Sequence, residues 1–183
     1  MDIAGFFYIR IEQNPQPDNI VRGCREVREI VNVLFVCLGN ICRSPMAEAV
    51  LRSKIAQRGL QESIKVDSAG TGDWHIGKEP HEGTRRILDQ YGISYADMTA
   101  RLVNSSDFDS FQYIVCMDDS NVVNVRKVPG GEKAELLTFM DLLPDEELRE
   151  VPDPYFTGNF EQVYGLMDAG CDVLLDKIVS EKL

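Results

Sequence analysis

The stretch Val33-Leu34-Phe35-Val36-Cys37-Leu38-Gly39-Asn40-Ile41-Cys42-Arg43-Ser44-Pro45 decides how the rest of the chain is read. Four apolar residues followed by a thiol describe a buried strand and its end. Gly39 and Asn40 tolerate the left-handed backbone angles that a tight turn needs. Ser44 and Pro45 stand where a helix opens, with Ser44 as the expected N-cap, Pro45 at the first helical position and Glu48 near the first turn. Strand, turn and helix start together make a cradle for an anion. Successive backbone N–H groups turn inward, and the helix adds its own unpaired donors.

Cys37 to Arg43 has the form Cys-x5-Arg, which puts a nucleophile at the floor of that cradle and a planar, permanently charged fork beside it. Leu38, Gly39, Asn40, Ile41 and Cys42 are the residues expected to line it. The positive field of such a loop favours a thiolate, and Ser44 can donate its hydroxyl hydrogen to the sulfur. Departure of an alkoxide or phenolate from phosphorus needs an acid to protonate it. Asp153 in Pro152-Asp153-Pro154-Tyr155 is the first candidate, because two prolines restrict the backbone around its carboxyl group. Asp118 and Asp119 are rivals, read first as helix caps and second as ligand contacts.

Outward from the cradle, strands alternate with helices. The first strand spans about 32–37, and the helix after it carries Ala47, Val50, Leu51 and Ile55 on its apolar face, with Gly59 at its end. Ile64-Lys65-Val66 is a second strand, followed by Ser68-Ala69-Gly70-Thr71-Gly72. A helix over about 80–91, a strand from Phe111 to Met117, a helix from Ser120 and a strand at Leu136-Leu137-Thr138-Phe139 come next. A polar loop covers about 144–157. The last helix, about 158–180, places Phe160, Val163, Tyr164, Met167, Cys171, Leu174 and Ile178 on one side. This order predicts an α/β three-layer sandwich with a mostly parallel sheet, whose ligand site lies beyond the carboxyl ends of the strands. Residues 1–30, with Phe6-Phe7-Tyr8-Ile9 followed by Asn14-Pro15-Gln16-Pro17, read as an N-terminal extension of uncertain order, and residues 31–183 as the domain.

A net charge of -11 argues against a nucleic-acid or anionic-membrane surface, while leaving room for a small pocket governed by local amides and one arginine. The five cysteines are odd in number and irregularly spaced, so they do not make a disulfide framework. With no basic leader and no long apolar run, the expectation is a cytoplasmic protein that does not enter the membrane. No compact metal-ligand cluster is apparent, and no cofactor is expected.

The loop Cys37-Leu-Gly-Asn-Ile-Cys42-Arg43-Ser44-Pro45 resembles the catalytic loop of the low-molecular-weight protein tyrosine phosphatases. Asp67-Ser68-Ala69-Gly70-Thr71-Gly72-Asp73-Trp74-His75, Pro80-His81-Glu-Gly-Thr84-Arg85 and Asp153-Pro154-Tyr155 are similar to further signatures of that family, in the family's order. The resemblance covers about 31–183 and implies a four-stranded parallel sheet flanked by helices. It implies Cys37 as nucleophile, Arg43 as phosphate clamp and Asp153 as general acid. It also implies Asn40 as the residue that steadies the strained loop, helped by His81, with Trp74 and Tyr155 gripping the phenyl ring of phosphotyrosine. His75 receives no task. Phe156 stands where some relatives have a second tyrosine.

The implied substrates are tyrosine-phosphorylated proteins, a bacterial tyrosine kinase among them, with phosphoarginine as the alternative. Cys42 is read equally as a buried loop residue and as a redox partner of Cys37. Arsenate reduction needs further resolving cysteines, and none follows Cys116 in Val122-Val123-Asn124-Val125. A phosphoprotein-binding module without turnover would not need a nucleophile opposite an acid.

Overall fold

The computed structural model describes residues 30–183. The extension, with its suggested strand at 6–9, lies outside the described residues but for Ile30. Four strands, β1 (Val31–Cys37), β2 (Ile64–Gly70), β3 (Tyr113–Cys116) and β4 (Leu136–Thr138), form one sheet in the order β2-β1-β3-β4. Every pairing is parallel. All four strands therefore end on the same edge, and β1, which carries Cys37, is one of the two central strands.

Apart from Asn32 near its start, β1 is apolar because both its faces are covered, as parallel sheets require. Val33, Phe35 and Cys37 face the larger core, built with α1 (Arg43–Gln57), α2 (Glu82–Gln90) and α6 (Phe160–Lys182). Leu34 and Val36 face a smaller cluster with Ala69, Ile114, Cys116 and Val125, covered by α3 (Asp107–Ser110) and α4 (Asp119–Val125). The layers are thus helices, sheet, helices. All seven residues read as the apolar side of α6 are buried. Fully burying an aliphatic side chain of this size contributes roughly 1.5–3 kcal/mol, so this one face is a major source of stability.

Two local departures from the sequence reading shape the site. β2 does not stop at Val66 but continues to Gly70, which pairs with Cys37 on one side and bridges Leu102 on the other. Gly70 N–H donates to the Arg101 carbonyl at 2.8 Å, and Val103 N–H donates to the Gly70 carbonyl at 2.9 Å. A Cβ at Gly70 would lie 3.0 Å from the Leu38 carbonyl, so this glycine lets β2 run close against the cradle.

The second departure is the start of α1. The helix begins at Arg43 with Cys42 at the N-cap, and no side chain caps it. Ser44 sits inside the first turn, and its hydroxyl turns to the cradle. Pro45 remains harmless there, since the first-turn N–H groups have no intrahelical partners. Glu48 is buried rather than placed at the cap.

The polar loop after β4 also holds a short helix, α5 (Pro154–Thr157), with Asp153 at its N-cap and Gly158 closing it at φ 71°. Val151 N–H donates to the Met117 carbonyl at 3.0 Å, which ties this loop to the exit of β3.

Candidate active site

Cys37 ends β1 with only 3% of its surface exposed. Two groups converge on its sulfur: the Ser44 hydroxyl at 3.1 Å and the Asn40 N–H at 3.3 Å. Asn40 has φ 53°, a left-handed conformation that costs most side chains roughly 1–2 kcal/mol. Its own amide offsets that cost. Nδ2 donates to Ser44 Oγ at 2.9 Å and to Ser68 Oγ at 2.8 Å, while Oδ1 accepts from Arg101 N–H at 2.8 Å. Because Ser44 accepts from Asn40, its hydroxyl hydrogen is left for the sulfur at 3.1 Å or the more distant Ala69 carbonyl at 3.4 Å.

Arg43 is buried, and three groups fix its guanidinium. Nη1 donates to Asp118 Oδ2 at 2.6 Å and to the Val151 carbonyl at 3.1 Å, and Nη2 donates to Asp153 Oδ2 at 3.0 Å. Burial works against its charge, but the Cys37 sulfur, Asp153 and Asp118 together raise its pKa above the ordinary value. Burial likewise opposes ionisation of Asp118. The Ser120 hydroxyl, Arg43 and the Asn121 N–H outweigh it and hold this carboxyl below its usual range. Asp118 is the N-cap of α4, as expected, and it also anchors Arg43, a role the sequence reading did not assign to it. Asp119 instead receives Glu150 on its N–H at 3.0 Å and is exposed.

Above this floor is a cleft of about 170 Å³ lined by Cys37, Leu38, Gly39, Ile41, Cys42, Arg43, Trp74, His75, Asp153, Tyr155 and Phe156. Trp74 and Tyr155 are 66% and 55% exposed, so neither serves as core packing. Gly72 explains where the indole sits: a Cβ there would lie 1.9 Å from the Trp74 ring. Phe156, 78% exposed, extends the aromatic wall. Asp153 Oδ1 accepts from Tyr155 N–H at 3.1 Å, which holds carboxylate and aromatic wall in one short turn.

His81 supports the cradle through its backbone. Its side chain does not reach Asn40; Ser44, Ser68 and Arg101 do that work. The His81 N–H donates to the Ile41 carbonyl at 2.7 Å, and its Nδ1 accepts from Gly83 N–H at 3.0 Å as the cap of α2. The ring lies face to face with Phe160 at 5.3 Å and edge-on to Tyr155 at 5.8 Å. A histidine cap that joins cradle, helix and aromatic wall leaves no local sequence mark.

Ser68, Glu48 and Arg101 are also absent from the sequence reading of the site. Ser68 Oγ donates to Glu48 Oε2 at 2.6 Å, and Arg52 holds the other oxygen at 3.0 Å. Arg101 bridges Asp67 and Asp107 while its N–H binds Asn40. The sequence does hold Ser68 in a quoted signature; Glu48 and Arg101 become partners only through folding.

Burial pushes the Glu48 carboxyl up to about 7, against the opposing pull of Ser68 and Arg52. Between its ordinary 4.5 and about 7 the folded state holds this proton more tightly than the unfolded chain. The stability it contributes is full below that window and is lost as pH rises through it, by on the order of 3 kcal/mol. Glu48→Gln should therefore flatten the fall in unfolding free energy between mildly acid and mildly alkaline urea titrations. A slope identical to that of the native protein would remove Glu48 as its source.

Burial, then the neighbouring Cys37 and Asp153, push the Cys42 thiol up to about 12. Cys37, Cys42, Cys116 and Cys171 are all free and buried. Among the described residues no group of three or more His, Cys, Asp or Glu side chains is arranged to hold a metal ion.

A parallel α/β sheet whose central strand ends in a cysteine–arginine anion loop, under an aromatic-walled cleft, defines the class of cysteine-dependent phosphatases. Comparison with known proteins narrows the class: the profile of the family "Low molecular weight phosphotyrosine protein phosphatase" matches residues 32–183, and the chain belongs to that family. It is 51% identical over 154 residues to the low molecular weight protein-tyrosine-phosphatase YfkJ of Bacillus subtilis, covering 84% of this chain and 99% of that protein. The crystal structure of YfkJ matches with a TM-score of 0.82 at 50% identity, over 85% of this chain and 98% of the other. That of the Drosophila arginine phosphatase matches with a TM-score of 0.73 at 33% identity, over 81% of this chain and 98% of the other.

Proposed function

We propose that the cleft hydrolyses phosphotyrosine in proteins through Cys37, Arg43 and Asp153. Cys37 Sγ attacks phosphorus in line as the bond to the phenolic oxygen breaks, and Asp153 gives that oxygen its proton. A phosphocysteine remains. Water then attacks the phosphorus, Asp153 takes the water's proton, and the sulfur–phosphorus bond breaks to release inorganic phosphate. Backbone N–H groups of Leu38 to Arg43 and the Arg43 guanidinium hold the equatorial oxygens. Asn40 and Ser44 keep the loop and the sulfur in register. A phosphoryl group that takes the donors of Arg43 frees Asp153 Oδ2 for the ester oxygen.

The observation that carries this reading is the convergence of Cys37, Arg43 and Asp153 on one cleft walled by Trp74 and Tyr155. A flat ring fits between those walls and still reaches the floor, whereas phosphoserine is too short to use them. Phosphoarginine is the second reading, supported by the likeness to the Drosophila arginine phosphatase. Against it, Asp153 is the one carboxylate lining the cleft among the described residues, and the Leu38 and Ile41 side chains give the guanidinium of such a substrate nothing to bind. Arsenate reduction finds no support, because Cys116 packs on the opposite face of the sheet from Cys37 and burial pushes its thiol up to about 12.

Tyrosine-phosphorylated proteins are thus the substrate class, and a bacterial tyrosine kinase is a proposed member of it, in keeping with the bacterial relatives. A cytoplasmic location agrees with four unpaired cysteines, and no helix among the described residues is long and apolar enough to cross a membrane. The catalytic domain at 31–183 follows an extension, a division supported by the family match beginning at 32. The closeness of Cys42 to Cys37 supports its redox role, and the burial that keeps it protonated supports a packing role.

The direct test is a side-by-side assay of phosphotyrosine, phosphoserine and phosphoarginine peptides, with Cys37→Ser as control. Phosphate release from the tyrosine peptide should dominate. A strong preference for phosphoarginine would replace the tyrosine reading, and tight binding without release would make the protein a binding module.

A further inference from the structure

His75 lines the cleft beside Trp74, and the chemistry above gives it no part. The segment that carries it is firmly built. His75 to Lys78 is a turn closed by Lys78 N–H on the His75 carbonyl at 2.9 Å, with Gly77 at φ 77°. Gly77 N–H donates to the Ala100 carbonyl at 2.7 Å, and Ala100 N–H donates to the Lys78 carbonyl at 2.8 Å. Gly39 lets the imidazole rest on the cradle, since a Cβ there would lie 3.1 Å from His75 Cδ2.

Lys78 Nζ stands 3.2 Å from His75 Nδ1. An ammonium group has donors only, so Nδ1 accepts and the imidazole proton sits on Nε2. The cleft is thus lined by the His75 imidazole, which carries Nε2–H, and the exposed ammonium of Lys78 stands directly behind it with its remaining hydrogens free. Among the described residues Lys78 takes part in no ion pair, and the adjacent carboxylate of Glu79 is engaged by Arg85 at 3.2 Å. Asp73, exposed at the start of the same segment, makes no ion pair with Lys78.

We propose that His75 and Lys78 form a subsite for a carboxylate next to the phosphotyrosine, so that the protein favours phosphotyrosine peptides with an acidic neighbour. The inference rests on the phosphotyrosine reading. With the phosphotyrosine ring between Trp74 and Tyr155, the flanking peptide leaves the cleft across its rim, where His75 stands. The overall charge of -11 repels such a peptide at long range, but that repulsion is largely screened beyond about 8 Å at physiological ionic strength. The short-range donors then decide.

The test uses three phosphotyrosine peptides identical except for glutamate, glutamine or lysine beside the phosphotyrosine. Each is assayed with the native protein, His75→Ala and Lys78→Glu. Ratios of kcat/KM within one protein cancel any general change in activity. The native protein should prefer the glutamate over the glutamine peptide by about fivefold, the scale of one exposed charge-assisted contact. His75→Ala should bring that ratio towards one, and Lys78→Glu should turn the preference to the lysine peptide. Turnover of all three by the native protein without preference for glutamate overturns the subsite and leaves the phosphotyrosine reading standing. A native preference that persists in both variants overturns its location at His75 and Lys78. Turnover of none of the peptides by the native protein overturns both.

Discussion

Cys37→Ser should release no measurable phosphate from a phosphotyrosine peptide, a loss of about 10⁴-fold or more. The reason lies in what the loop holds. Ser44 Oγ and Asn40 N–H address a sulfur, at 3.1 and 3.3 Å, and a thiol ionises far more readily than an aliphatic hydroxyl. A serine oxygen is a poor nucleophile at neutral pH and has no base beside it. The cradle itself is backbone and Arg43, so the variant should still bind inorganic phosphate, which separates lost chemistry from a lost fold. Rapid acid quench of the native protein should reveal a phosphorylated Cys37 by mass, and the variant none. Retention of activity within tenfold of native would displace Cys37 as the nucleophile.

Asp153→Asn should have the second largest effect, and one that depends on the substrate. Asparagine also caps helices, so the Tyr155 N–H and the start of α5 should keep their partner. What is lost is the proton. Turnover of phosphotyrosine, whose leaving group is a strongly basic phenolate, should fall by about 10²–10³. A nitrophenyl phosphate, whose leaving group needs little protonation, should lose an order of magnitude less. The comparison should be made under single turnover, where the first step is seen alone. Equal losses for both substrates would rule out Asp153 as the acid.

The sequence reading succeeded where one segment contains the whole argument. Val33 to Pro45 shows strand, turn and helix in order, and α6 shows its apolar side in seven regularly spaced residues, because periodicity is a local property. It failed where a residue's best partner is remote. Ser44 is read both as an N-cap and as a donor to the sulfur; the bond to Cys37 is present and the cap is not. Glu48 looks like a first-turn acid and is instead buried on Ser68, 20 positions away. The resemblance led to His81 as a help to the strained loop, and its N–H does bind the Ile41 carbonyl; the backbone N–H of Arg101 on Asn40, 61 positions away, has no such mark in the sequence. Nothing in a linear pattern announces such a contact; it depends on β2 running on to Gly70 and bridging Leu102.

The bonds of Arg43 have a consequence for folding. Its guanidinium spans 75 residues to Asp118 and 110 to Asp153, drawing the ends of β1 and β3 and the start of α5 to a single point. Contacts this remote carry a large loop-closure cost and form only when most of the chain is in place. Catalytic competence is therefore among the last properties a refolding chain acquires. Recovery of turnover thus reports completion of the whole domain.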